Sequence, residues 1–521
     1  MRIAKTAASV AAAMMLVTCM AACGQSANTA NTANSNQNAT NSAATATAQL
    51  DLTGQRLQES DITTATIVDN AVDGEHVLSA DGQQANLAQT KVTKAGNSSG
   101  DEADFYGENA AVFATNGATL DVSDTIVSTD GTHANGIFSY GEGTTVNVSH
   151  TLIKTSNNCS GGLMTTGGGT MNATDVTAET QGNSSAAIRS DRGGGTVNVS
   201  KGYFTTAGTG SPVVYSTADI TVSDSYLEST ASQGVVIEGK NSVTLNGCQL
   251  IASNTTHNSN KSSHFQAVMI YQSMSGDASV GQSSFAMTGG TLTNKSGDIF
   301  FVNNTACEIN LDNAQITNQD ETGAFLRAEA AGWGSEGSNG GKVNLNATGQ
   351  VINGNIVVDD VSTVNAVLSN GTAFTGAINP DGQQGQVYVQ LDESSTWTLT
   401  ADSYVSALNC KAGAINLNGH KLYVDGVEYA GADATGTAFE IASSSSSADG
   451  QGMGGSKPDG DGMGQGGSGG EGAGGAGGDK PDAKPDGDGS TGGSGQGGQG
   501  GEEPPAKPDG EGSGNSQGGG R

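Results

Sequence analysis

Charged residues make up only 14% of this 521-residue chain and aromatic residues only 4%, which sets it apart from ordinary globular composition. Basic residues are the scarcest charge: 21 Lys and Arg stand against 52 Asp and Glu, a formal net charge of −31. That imbalance excludes nucleic acid and anionic lipid headgroups as favoured partners and leaves cations or neutral polymers. There are six cysteines. The four at positions 159, 248, 307 and 410 are far apart and match no metal spacing, so neither a disulfide framework nor a zinc motif is expected, only free, mostly buried thiols. What the chain has in abundance is glycine, 80 residues of it, and that abundance points to something repetitive.

The two ends carry no fold signal of their own. Met1-Arg2-Ile3-Ala4-Lys5 and the apolar run Ala7 to Val17 have the form of an export signal, the run being too short to span a bilayer. Met20-Ala21-Ala22-Cys23-Gly24 follows and resembles a lipobox, so Cys23 is the expected lipidation site; Cys19 after Thr18 is a poorer candidate. Residues 1–22 are read as the signal peptide and 23–49 as a flexible Ser/Asn/Thr/Ala linker with too little apolar surface to order itself. Residues 443–521, punctuated by Lys457-Pro458-Asp459-Gly460 and similar motifs, are read as a disordered acidic tail.

Between them, over 50–442, a three-part unit recurs, most often about every 25 residues. Its first part includes Ala111-Val112-Phe113, Gly136-Ile137-Phe138, Gly162-Leu163-Met164, Ala187-Ile188-Arg189 and Val213-Val214-Tyr215. Its second includes Leu120-Asp121-Val122, Val146-Asn147-Val148, Met171-Asn172-Ala173 and Val197-Asn198-Val199; a third carries Val127, Ile153, Ala178, Phe204, Leu227 and Leu250. Each part alternates apolar and polar residues, the period of a strand with one buried face, and Gly, Ser, Asn and Asp fill the joints. Three short strands and three turns per repeat predict an all-β fold, a single right-handed parallel β-helix with disordered linkers at both ends. About ten to twelve coils at strand spacing give a rod on the order of 50 Å.

Parity assigns faces. The series Val112, Ile137, Leu163, Ile188, Val214, Val236, Met269, Phe301, Leu326 has no polar member and is expected to point inward; Phe113, Phe138, Met164, Arg189, Tyr215, Ile237, Ile270, Val302, Arg327 contains two arginines and is expected to point out. Asp121, Asn147, Asn172, Asn198, Thr221, Thr244, Asn310 and Asn344 are expected to form a solvent-facing polar ladder.

With its small-residue turns and Val-Asn-Val strands, the repeat resembles the pectate-lyase-like right-handed β-helix superfamily over roughly 77–427, and particularly the adhesin-like and carbohydrate-binding surface lipoproteins of gut and cellulolytic anaerobes. The resemblance implies a cell-surface, lipid-anchored adhesin or glycan-binding protein on the extracellular face of a bacterial membrane. The superfamily also hosts polysaccharide lyases and glycosidases, which are the alternative; a structural envelope rod is the second.

Catalytic signals are weak. Arg189-Ser190-Asp191-Arg192, with Lys201 and Asp224, is the best local candidate for a lyase centre, but no acidic column accompanies it, as calcium would require. Asp359-Asp360 and Asp392-Glu393 pair neighbours that would face opposite sides of a strand. His257 and His264 share a turn without a third ligand, and Asp459-Gly460-Asp461-Gly462 lacks later calcium-loop ligands. No catalytic residue, metal site or cofactor is therefore expected. Ligand contact is assigned to the outward apolar strip and its flank, namely Phe113, Phe138, Tyr140, Arg189, Asp191 and Tyr215, and to Trp333 in a Gly-rich loop, with a polysaccharide or host or bacterial cell-surface glycan as partner. Cover of that strip by the turn Asn254 to His264, or by the segment before Tyr106, is the competing expectation.

Overall fold

The computed structural model describes residues 50–441, apart from 258, 383 and 384. Cys19, Cys23, the tether up to Gln49 and the acidic tail lie outside the described residues.

The three parts of each repeat become three strands, each paired in parallel with its equivalent in the next coil. The first parts form an eleven-stranded sheet from Leu78–Asp81 to Ile356–Val358. The second and third parts share a 21-stranded sheet, because in several coils they run on as a single bent strand, as in Thr119–Thr129 and Thr145–Thr155. A single residue with positive φ makes that bend: Asp124 (47°), His150 (41°), Asp175 (56°), Lys201 (54°) and Asp224 (47°). One left-handed residue turns the chain while both flanking segments stay in register. Eleven strands at sheet spacing give a length of about 50 Å.

Apolar columns from all three strands fill the interior. Val112, Ile137, Leu163, Ile188 and Val214 stack from one strand, and Val127, Ile153, Ala178, Phe204 and Leu227 from another, all at most 1% exposed. The turns leading to the first strand are lined by a buried serine stack, in which Ser160, Ser185 and Ser211 each accept the backbone N–H one coil earlier through the side-chain hydroxyl. Glycine is required where these turns press together: a Cβ on Gly182 would lie 2.0 Å from the Asn157 carbonyl oxygen, and one on Gly208 1.9 Å from that of Gly182.

Beyond Val214 the register departs from the parity expectation. Tyr215 pairs with Val236, which pairs with Met269, then Phe301, then Arg327. Val236, Met269 and Phe301 therefore point out, while Ile237, Ile270 and Val302 point in. The runs Val235-Val236-Ile237, Val268-Met269-Ile270 and Phe300-Phe301-Val302 are uninterrupted apolar, so alternation carries no information there. In the second strand, Asn310 pairs with Asn346, and Asn344 with Glu308, a shift of two that preserves the face.

The last coils close the rod. Val351–Asn353, Ala373–Thr375, Thr396–Thr398 and Ile415–Asn416 form a separate sheet, in which Trp397 stacks on Phe374 and donates its indole N–H to the Gly376 carbonyl at 2.9 Å. Two antiparallel pairings, Leu422–Val424 with Val427–Glu428 and Ala407–Cys410 with Ala434–Thr435, finish the edge. At the other end Leu50 to Ile62 does not coil. It runs lengthwise down the outside of the third strands, from Gln249 (Leu52 N–H to Gln249 Oε1, 2.9 Å) past Asp224, Glu179 and Thr177 to Ile126 and Leu152, against which Ile62 is buried.

Candidate functional site

The outward face of the eleven-stranded sheet is where the sequence concentrates large apolar and charged side chains, and the structure covers it twice. At one end the helix α1, Asp101–Tyr106, lies over Phe113, Phe138 and Met164. Phe105 is buried beneath the Arg192 guanidinium, 3.8 Å from its ring centroid, and its carbonyl accepts the Thr166 hydroxyl at 2.6 Å. Tyr106 meets Tyr140 edge-on, and His76 stacks on Phe113 at 4.3 Å. At the other end the turn from Asn254 and the loop around Trp333 cover Tyr215, Val236, Met269 and Phe301. The two covering segments are joined by the Gly332 N–H to Lys261 carbonyl bond and by His264 Nε2 with Glu329 at 3.1 Å.

Between the covers lies a buried polar network. Arg189 and Asp191, 1% and 0% exposed at the side chain, pair at 2.8 Å. Glu238 accepts the hydroxyls of Tyr215 (2.6 Å), Tyr271 (3.0 Å) and Ser273. Arg192 bridges Asp277 at 2.9 Å and Asp101 of α1 at 3.2 Å. Burial, and then the nearby Glu238 charge, pushes the Tyr215 phenol well above its usual range. Burial alone would raise Glu329, yet His264 and Arg327 beside it hold its carboxyl below the usual range. The fully buried members, the Arg189–Asp191 pair and the Glu238 cluster, rigidify the face and are costly to separate.

Of the residues assigned to ligand contact, Phe113, Phe138, Arg189, Asp191, Tyr215 and Trp333 are buried and Tyr140 is half-buried. The open strip is thus corrected: both competing covers are present at once, because an apolar column of this length loses free energy in water unless something packs on it. Trp333 is itself part of a cover, edge-on to Tyr271 at 5.3 Å. Lys201 and Asp224 sit at the left-handed bends between the second and third strands, not with Arg189. Asp359 and Asp392 are turn residues whose carboxylates accept backbone N–H groups. Asp277 and Asp101 escaped sequence reasoning; Glu238 was expected on the flank of the strip, but not as the buried acceptor of Tyr215, Tyr271 and Ser273. The signal for Glu238 was its register: it stacks on Tyr271, two residues after the Tyr215–Val236–Met269 column and so on the same face, and only the correct parity of Val235-Val236-Ile237 reveals this.

The outward face of the second strands is different in kind. Thr145, Asn147 and Ser149 pair with Thr170, Asn172 and Thr174, and these with Thr196, Asn198 and Ser200; all nine are half-buried or exposed. The amides form a continuous chain, Asn198 donating to Asn172, Asn172 to Asn147 and Asn147 to Asp121, at 3.0, 3.0 and 2.8 Å. The pattern resumes at Asn346 to Asn310 (2.9 Å) and Asn365 to Asn344 (2.9 Å). The sequence-derived polar ladder is therefore present, with the two-residue shift noted above. Asn147, Asn172 and Asn198 each keep one donor hydrogen and spare acceptor capacity for an external group, whereas Asn365 spends both donors, on Asn344 and the Phe439 carbonyl.

The four cysteines at 159, 248, 307 and 410 are free and buried, as their spacing predicts. Burial pushes the Cys248 thiol up to about 11 and the Cys307 thiol higher still. No protein-family model matches this chain, and no match to it was found among curated proteins or solved structures.

Proposed function

We propose that this chain is a non-catalytic glycan-binding protein of the pectate-lyase-like β-helix kind, held on the extracellular face of a bacterial membrane by a lipid on Cys23, and that it engages a neutral polysaccharide or cell-surface glycan along the polar face of its second strands. The observation that carries this reading is the amide and hydroxyl ladder of Asn147, Asn172 and Asn198 with its Thr and Ser flanks. It is flat, rigid and repeated once per coil at about 4.8 Å, close to the rise of one sugar in an extended chain. Hydroxyl-rich polymers match it by hydrogen bonding, and the net charge of −31 disfavours polyanionic ones.

The test replaces Asn147, Asn172 and Asn198 together by Ala and measures binding to a glycan array and to insoluble polysaccharides, with circular dichroism confirming the fold. Three lost hydrogen bonds at about 1 kcal/mol each predict at least a tenfold weaker interaction. Undiminished binding by the folded variant would remove this face. Polymer shortening during incubation would instead favour the lyase alternative.

A further inference from the structure

The turns preceding the first strands place equivalent residues of successive coils above one another: the N–H of His133 bonds to the Asn158 carbonyl, that of Cys159 to Asn183 and that of Ser184 to Thr209. His133, Cys159, Ser184 and Gly210 occupy the same left-handed position, with φ of 54°, 55°, 56° and 63°. Glycine is the residue this conformation favours, and His and Cys pay about 1 kcal/mol each to adopt it. Their side chains meet a third group from outside the coil, Asp104 of α1. Asp104 Oδ1 lies 2.8 Å from His133 Nδ1, and one ligand atom from each of Asp104, His133 and Cys159 lies within 4.8 Å of the others. All three residues are at most 5% exposed.

We propose that Asp104, His133 and Cys159 form a structural binding site for a zinc-like divalent transition metal. One carboxylate oxygen, one imidazole nitrogen and one thiolate are the donor set of zinc. Zinc bonds of about 2.0–2.3 Å at tetrahedral angles place donor atoms about 3.3–3.6 Å apart, so the three groups close on one ion with movements no larger than a bond length. The fourth position is left to water or a backbone carbonyl. Sequence spacing conceals the site because the ligands come from three segments, α1 and two consecutive turns. The ion would cross-link α1 to the rod and so fasten the cover over Phe113, Phe138 and Met164.

The test expresses the full chain in zinc-supplemented medium and, separately, in cobalt-supplemented minimal medium, so that loading accompanies folding, and purifies it without chelator. The expected result is one metal per chain by elemental analysis, with a thiolate-to-cobalt band and the visible bands of tetrahedral cobalt. Cys159→Ser should abolish the charge-transfer band, and His133→Gln and Asp104→Asn should each lower retention of metal against a chelator at least tenfold. Cys307→Ser and His150→Gln should leave all of these unchanged. X-ray absorption of the unsubstituted zinc protein should show one sulfur in the first shell, a readout that needs no variant to fold. Purified protein carrying well under one equivalent of metal, or a cobalt spectrum that survives Cys159→Ser, overturns the proposal.

Discussion

Asp392 shows how much one side chain does at a turn. Its carboxylate accepts the N–H of Asn370 one coil earlier and those of Ser394 and Ser395, together with the Ser394 hydroxyl. The Asn370 amide above all, with the serine donors, holds its pKa down at about 2, below the ordinary 3.8. A carboxyl depressed in the folded state stabilises above its unfolded pKa, and that contribution is lost as pH falls through the folded one. Asp392→Ala should therefore melt roughly 1–2 °C below the parent at pH 7, and thermal scans of the two should converge as pH drops from about 4 to 2. A difference that persists at pH 2 would assign the effect to the turn backbone instead. At this scale the sequence was legible wherever a residue alternates with its neighbours, as Asn147 and Asn172 do. It was not legible at Val236, Met269 or Phe301, where three apolar residues in succession suit either parity.

Elements that do not repeat were the hardest to foresee. The covers over the aromatic column were one of two expected outcomes, since an exposed strip and a buried one have the same composition. The lengthwise segment Leu50 to Ile62 could not be anticipated, because the five-residue spacing of Leu52, Leu57 and Ile62 matches neither a strand nor a helix and their partners lie from about 60 to nearly 200 residues away. Its docking combines one apolar anchor with polar ones: Ile62 on Ile126 and Leu152, Arg56 on Glu179 at 2.5 Å and over Tyr203 at 5.8 Å, and Glu59 between Lys91 and Lys154. Exposed ion pairs contribute little, whereas truncating a buried isoleucine costs about 2 kcal/mol or more. Ile62→Ala should thus speed hydrogen exchange at the amides of Leu57 and Ile62 by at least tenfold, while the circular dichroism of the coils stays the same. Unchanged exchange would show that the polar anchors suffice.

On the scale of the molecule, a parallel β-helix is an open-ended stack, and its last strands present unpaired backbone to any similar edge. The chain ends its stack with antiparallel strands at Val427–Glu428 and Ala434–Thr435 and with a Trp397–Phe374 stack plugging the interior. Deleting residues 427–436 should uncover the edges of Leu422–Val424 and Ala407–Cys410, and light scattering should then report end-to-end association that grows with concentration. A strictly monomeric deletion would mean that Tyr404 and Tyr423, stacked at 5.0 Å, already protect that end. The β-helix itself was legible in the sequence because its signal is summed over many coils, so a slip in a few of them leaves the architecture unchanged.

The lengthwise segment also sets the order in which the protein would yield to force. Tension arriving through the residues before Leu50 reaches the bond at Gln249 first, then that at Asp224, then the Arg56 pair with Glu179, and Ile62 last. The attachments are loaded in series, as in an opening zipper, so each gives way at low force before the next is strained. Release of the whole segment would pay out about 40 Å of extended chain before any coil pairing is stressed. The hydrogen-bonded coils would be the last part to feel the load, shielded by a yielding leash on the flank of the rod.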